Sequence, residues 1–155
     1  VKGPNVFSGY WQMPEKTAEE FRDDGFFITG DQAVMDDTGR VSIVGREKDM
    51  VISGGYNVYP KEVEVLLDEM PEVQESAVIG VPHPDFGEGV VAVLVPESGE
   101  VSIAQTDAAL EGKIARFKQP KKVINLSELP RNAMGKVQKN QLRESYKGLF
   151  EDSAS

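Results

Sequence analysis

A chain of 155 residues, 39% of them hydrophobic, can close one modest core with some chain to spare. Its formal charge of −9 argues against nucleic-acid binding over the whole surface. The absence of cysteine excludes disulfides, thiolate metal sites and thiol nucleophiles, and a single histidine leaves no basis for a His-rich metal site or a Ser-His triad.

The N-terminal VKGPNVFSGYW has no charged region followed by an apolar one, so no secretory leader is expected. It has no initiator Met and reads as a piece of something longer. No run of about eighteen apolar residues occurs, so no membrane span is expected, and a cytoplasmic setting is the default. PEKTAEEFRDDG predicts a short helix, with Pro14 near its start, Phe21 on its apolar side and Gly25 after it. GFFITGD and VSIVGR predict strands around the turn DDTG. This stretch has too few elements to close a core and is expected to be the end of a larger upstream domain.

MVISGGYNVYP predicts a strand pair broken by two glycines. PKEVEVLLDEMP is the clearest helix: Pro60 suits its first turn, Val63, Leu66, Leu67 and Met70 follow helical spacing, and Pro71 stops it. SAVIGV and VVAVLV are nearly continuous apolar runs of strand length, joined through VPHPDFGEG by what reads as a long loop. SIAQTDAALEGKIARF predicts a helix with Ile103, Leu110, Ile114 and Phe117 on one stripe and Ser102 as cap. KKVINL is a third strand of this group, and QKNQLRESYKGLF a final helix with Leu142, Tyr146 and Leu149 inward. From Pro60 the order is α-β-β-α-β-α, which gives an α+β class: a small mixed β-sheet with packed helices.

Charge is unevenly distributed. Between Lys113 and Arg143 nine basic residues face one acid, net +8, so the remainder is net −17. A basic island on an acidic body suits a small polyanion such as a nucleotide; solvated helix faces are the other reading. In PRNAMGKVQKN, the Gly135-Lys136 pair lacks the second glycine and the Ser or Thr of a phosphate-binding P-loop. GEGVVA and SGGYN do not make a dinucleotide fingerprint. Glu62 and Glu64, at i and i+2, do not share a helix face and are expected to decorate its first turn. His83, between two prolines, is expected to be a loop residue and not a general base.

The fragments GYW (9–11), TGD (29–31), GREKD (45–49), SGGYNVYPKEVE (53–64) and PRNAMGK (130–136), in this order and spacing, resemble the C-terminal third of the acyl-adenylate-forming superfamily. That superfamily includes acyl-CoA synthetases, peptide-synthetase adenylation domains and luciferases. Within it, GPNVFSGYW, SGGYNVYPKEVE, VIGVPHPDFGEG and PRNAMGKVQKN are most similar to malonyl-CoA synthetases. The resemblance implies residues 1–45 as the end of a large N-terminal domain, 46–150 as a C-terminal lid with its hinge near Lys48, and 151–155 as a disordered tail.

It further implies an ATP-dependent acid–thiol ligase, with ATP, coenzyme A and Mg²⁺ required by the full-length enzyme and a small carboxylic acid as substrate. The missing N-terminal domain is the implied partner; no nucleic acid or membrane is. Lys136 matches the family's lid lysine, which stabilises charge on the α-phosphate, and Gly135 permits the tight loop behind it. Asp31 matches a ribose-binding carboxylate and Arg46 a second nucleotide contact. Ser53, Gly54 and Gly55 match the turn that lines the pantetheine tunnel. Phe117 and Lys121 lie where some relatives hold the nucleotide of coenzyme A, although Phe117 also fits a core position. The 155 residues alone are expected to make no acyl-CoA. Two alternatives remain: a non-catalytic module that serves as substrate for a lysine acetyltransferase, and a peptide-synthetase adenylation lid.

Overall fold

The computed structural model of the chain describes residues 1–151 and divides it into two compact units, Val1–Ile43 and Val44 onward. Of the expected tail 151–155, all but Glu151 lies outside the described residues.

The first unit carries α1 (Pro14–Glu20) and β1 (Asp31–Met35), which pairs with β2 (Val41–Arg46). The strand expected at GFFITGD lies elsewhere. Phe27 makes only a single bridge to Phe21, and the extended run begins at Asp31, because Gly30 takes a φ of +70° and interrupts it. The turn after β1 closes at Asp36–Arg40, as DDTG suggests. Among the described residues of this unit none is buried. Phe7, Tyr10, Phe21 and Phe27 pack instead as an aromatic cluster, with Phe7 5.1–5.4 Å from each of the others and mostly edge-on.

The second unit holds the core. Its elements are β3 (Val51–Ser53), β4 (Tyr56–Val58), α2 (Pro60–Leu67), β5 (Val73–His83), β6 (Gly87–Pro96), α3 (Ile103–Leu110), β7 (Lys122–Asn125) and α4 (Lys139–Tyr146). β6 is central. β5 runs antiparallel along one edge of it; β3 and β7 share the other edge, β3 antiparallel at Gly87 and β7 parallel at Val91–Leu94. β4 pairs antiparallel with β3 outside it. The mixed α+β sheet and the helix–strand order read from the sequence are both present.

Strand periodicity explains why the apolar runs are continuous. Val90, Ala92 and Leu94 of β6 face a cluster with Val63, Leu67 and Leu110 from α2 and α3. Val91, Val93 and Val95 face the opposite way, into a cluster with Leu142 and Phe150. A strand covered on both faces has no position left for solvent-facing polarity.

Several expectations need correction. α2 stops at Leu67, before Met70 and Pro71. β5 and β6 extend through His83 and from Gly87, so the connection is a short turn rather than a long loop, and His83 ends a strand, packed between Phe86 and Phe150. α3 does start at Ser102 with a full capping box to Gln105, but it ends at Leu110, because Gly112 takes a φ of +71° and breaks the helix. Phe117 is therefore not on its stripe. It sits on a separate 3-10 turn, Arg116–Lys118, and is exposed. Glu64 does not decorate a surface: it is 6% exposed and points into the unit.

Candidate functional site

The lysine loop is a small hairpin of its own. Arg131 and Val137 form a bridge, Asn132 N–H donates to the Lys136 carbonyl, and Gly135 N–H donates back to the Asn132 carbonyl. The Asn132 side-chain oxygen accepts from the N–H groups of Met134 and Lys136 at 3.0 and 2.9 Å. Gly135 has a φ of +79° with open space where a Cβ would stand, so backbone conformation and not crowding requires glycine here. This is a turn closed by a left-handed residue, the geometry of three-residue hairpins. The same bonding pattern recurs at Arg22–Phe26 and Asp36–Arg40, each with glycine in the fourth place. Lys136 is exposed at the end of the loop.

Both flanks of this loop are braced. Arg131 donates to the Gly135 carbonyl at 2.8 Å and pairs with Glu75 of β5. On the other side Gln138 N–H donates to the Pro130 carbonyl at 2.7 Å, and its side chain donates to the Lys136 carbonyl at 3.1 Å. α4 begins at the next residue. Sequence reading missed Arg131, Asn132 and Gln138. The Asn three residues before a glycine was a legible signal for a side-chain-closed turn.

Lys48 lies in a 3-10 turn, Glu47–Asp49, immediately after β2, and is exposed; Arg46 is the last residue of β2 and also exposed. Asp31 opens β1 in the first unit, half-buried, its N–H donating to Thr29 Oγ1 at 3.1 Å. The remaining candidates all belong to the second unit.

Ser53, Gly54 and Gly55 turn β3 into β4. Gly54 and Gly55 have φ of +59° and +82°, as a two-residue hairpin with both central residues left-handed requires. Ser53 lies opposite Gly87 in the sheet, and two bonds fasten this turn to the β5–β6 connection: Gly54 N–H to the Phe86 carbonyl and Ile52 N–H to the Glu88 carboxylate at 2.7 Å. Ser53 is buried at 2% exposure. Around the turn stand aromatic rings and one cation. Phe86 lies against Gly54, Lys121 Nζ is 3.9 Å from the Phe86 centroid, and Tyr56 stacks on Phe117 at 4.7 Å. The structure thus gathers the glycine turn, Lys121 and Phe117 at one end of the sheet, through Phe86 and Tyr56. Sequence spacing did not reveal either of those two links.

The basic island resolves into mostly paired groups. Lys113, Lys118, Arg131, Lys139 and Arg143 reach Glu69, Glu62, Glu75, Glu64 and Asp49. Its excess charge is largely met by acids from other elements, so the broad polyanion surface expected from net charge reduces to local positions such as Lys121 and Lys136. Among the described residues no group of three or more His, Cys, Asp or Glu is placed to hold a metal ion, and no helix is long and apolar enough to cross a membrane.

Residues 62–136 match the family model for the AMP-binding enzyme C-terminal domain. The chain is 46% identical over 145 residues to an indoleacetate–CoA ligase of Aromatoleum aromaticum, covering 93% of this chain and 28% of that one. It is 44% identical over 146 residues to the long-chain-fatty-acid–CoA ligase FadD13 of Mycobacterium tuberculosis, covering 94% and 29%. Among solved structures, ATP-bound MatB from Rhodopseudomonas palustris superimposes with a TM-score of 0.84 at 62% identity, over 96% of this chain and 30% of that one. The o-succinylbenzoate CoA synthetase MenE of Bacillus subtilis, in complex with its acyl-adenylate intermediate, gives 0.86 at 36% identity, over 92% and 29%. The chain spans less than a third of the length of each of these relatives. On a fold shared with these ligases, residues 62–136, which end at the glycine-braced lysine loop, belong to the AMP-binding enzyme C-terminal domain family.

Proposed function

We propose that this domain is the lid of an AMP-forming acyl-CoA ligase, converting an acid, ATP and coenzyme A to acyl-CoA, AMP and pyrophosphate. In the first half-reaction a carboxylate oxygen attacks the α-phosphorus of ATP and pyrophosphate leaves. Two anions must approach, and charge grows on the phosphate oxygens. A cation aimed at them stabilises the transition state more than the ground state. Lys136 is that cation, and the observation that carries the reading is its place: exposed at the end of a hairpin fixed by Asn132 and a left-handed Gly135. Asp31 accepts hydrogen bonds from the ribose hydroxyls, and Arg46 contacts the nucleotide beside the hinge at Lys48.

In the second half-reaction the coenzyme A thiol attacks the acyl carbon, loses its proton and displaces AMP. Ser53, Gly54 and Gly55 form the wall past which the pantetheine arm runs, and Phe117 and Lys121 receive the nucleotide end. The CoA ligases among the relatives favour coenzyme A over a carrier protein as acceptor. Mg²⁺ would arrive with the triphosphate, whose oxygens it binds together with water. A cytoplasmic enzyme fits these substrates. Malonate is the acid we favour, on the four stretches similar to malonyl-CoA synthetases and on an identity of 62% with MatB against 46% with the indoleacetate ligase.

The test uses the complete ligase. Pyrophosphate release is measured over a panel of mono- and dicarboxylates, with and without Lys136→Ala. The substitution should slow acyl-adenylate formation by about 10²–10³, the range for a lost transition-state donor. Adenylate formation at the normal rate would remove the role given to Lys136; preference for a monocarboxylate would remove malonate alone.

A further inference from the structure

Lys139 and Arg143 stand four residues apart on α4 and so project from one face of it. Each reaches a different element. Lys139 pairs with Glu64 of α2, whose carboxylate also accepts the Val78 N–H of β5 at 2.8 Å. Arg143 Nη2 donates to Asp49 Oδ1 at 2.7 Å. Asp49 closes the short turn that contains Lys48. Between the two cations Leu142 is buried in the core, so the helix cannot roll without unpacking. At its start α4 is joined to the lysine loop through Gln138, which bonds both the Pro130 and the Lys136 carbonyls.

A continuous path therefore runs from Lys48 through Asp49, Arg143, α4 and Gln138 to Lys136. One charged hydrogen bond bridges the long gap in sequence. The side chains of Arg143 and Asp49 are only 30% and 22% exposed, which restricts their freedom and limits screening of the pair.

We propose that Arg143 is a positioning residue for adenylation: its bond to Asp49 locks the hinge turn to the helix behind the catalytic lysine, so that rotation at Lys48 delivers the Lys136 ammonium without slack. This rests on the roles given above to Lys48 and Lys136. Arginine suits the task because its planar donors hold a direction that a lysine ammonium does not. The demand is steep, since a misplacement of about 1 Å at a reacting centre can cost about 10²-fold in rate.

The two half-reactions are measured separately in the complete ligase: first-turnover pyrophosphate release, and thioester formation from supplied acyl-adenylate. Arg143→Met should slow the first by about tenfold or more and leave the second within about twofold, since the thiol step does not use Lys136. The charge-reversed double variant Asp49→Arg, Arg143→Asp should recover most of the lost adenylation rate, which neither single reversal does. Wild-type pyrophosphate release by Arg143→Met overturns the proposal. So does an equal loss in both half-reactions with no recovery in the double variant, which marks a merely structural role. Lys136→Ala run alongside separates the two ideas: if it adenylates normally, the reading of the lysine has failed; if it is inactive while Arg143→Met is unimpaired, only the coupling has failed.

Discussion

Lys121 holds its ammonium 3.9 Å from the centroid of the Phe86 ring, and the edge of the same ring would lie 3.3 Å from a Cβ placed on Gly54. One aromatic side chain thus ties a cation after the 3-10 turn to the glycine turn of β3–β4. Beside it Phe117 stacks on Tyr56. A flat, π-faced ligand with attached anions is the chemistry such a surface accepts.

Phe117→Ala should accordingly weaken coenzyme A. Stacking of a base on an aromatic ring is worth about 1–3 kcal/mol, so the KM for coenzyme A in the complete ligase should rise by about tenfold. First-turnover pyrophosphate release should not change. Steady-state titration of coenzyme A checks this; an unchanged KM returns Phe117 and Tyr56 to a purely structural role.

Glu64 is the buried acid on which α2, β5 and α4 converge. Glu64→Ala strands the Lys139 ammonium, which is only 19% exposed, and leaves the Val78 N–H without its partner. Breaking such a pair from one side costs on the order of 3 kcal/mol. Urea unfolding of the 155-residue chain reads it as a lowered midpoint. Glu64→Ala with Lys139→Met should recover part of the loss.

Two glycines should respond to alanine for different reasons. At Gly135 there is room for a methyl group but φ is +79°, so Gly135→Ala should cost about 1–2 kcal/mol in backbone strain, local to the lysine loop. At Gly80 a methyl group would stand 2.7 Å from Val51 Cγ1 and 2.8 Å from Glu88 Oε1. Gly80→Ala should cost about 1–3 kcal/mol by overpacking, and it should loosen the Ile52–Glu88 bond that holds β3. Amide exchange distinguishes the two: faster exchange at Met134–Lys136 in the first, at Ile52 in the second.

Asp36 has its carboxyl held below its ordinary value of 3.8, first by the Thr38 hydroxyl and then by the Arg40 N–H. A depressed carboxylate contributes stability above its ordinary pKa and loses it as pH falls through the lowered folded value. Acid, and not base, should therefore loosen the β1–β2 turn. Thr38→Ala should bring the Asp36 pKa upward, which a carboxyl NMR titration measures directly; an unmoved pKa would refute the assignment of cause.

Much of this was readable before any coordinates. The apolar run VVAVLV read as a strand and is one; Pro60 opens α2, although the helix stops at Leu67, four residues before Pro71; Ser102 capped α3. The glycine before Lys136 implied a tight loop, and the left-handed φ is there. Errors arose where a local pattern outran a local break. Phe117 matched the helical stripe of α3, but Gly112 ended the helix first. Glu64 looked like a first-turn surface acid because spacing within one helix says nothing about which neighbour later covers it.

The order of helices and strands from Pro60 onward and the loop that presents Lys136 were legible in the sequence itself. Each depends on steric and hydrogen-bonding preferences of residues a few places apart. The partners of Glu64, Asp49 and Glu88, and the meeting of Phe86 with Gly54 and Lys121, were decided only by the tertiary structure. These pairs come together after β6 has taken β5 on one edge and β3 and β7 on the other, a register set by the burial of both faces at once rather than by any single stretch of chain.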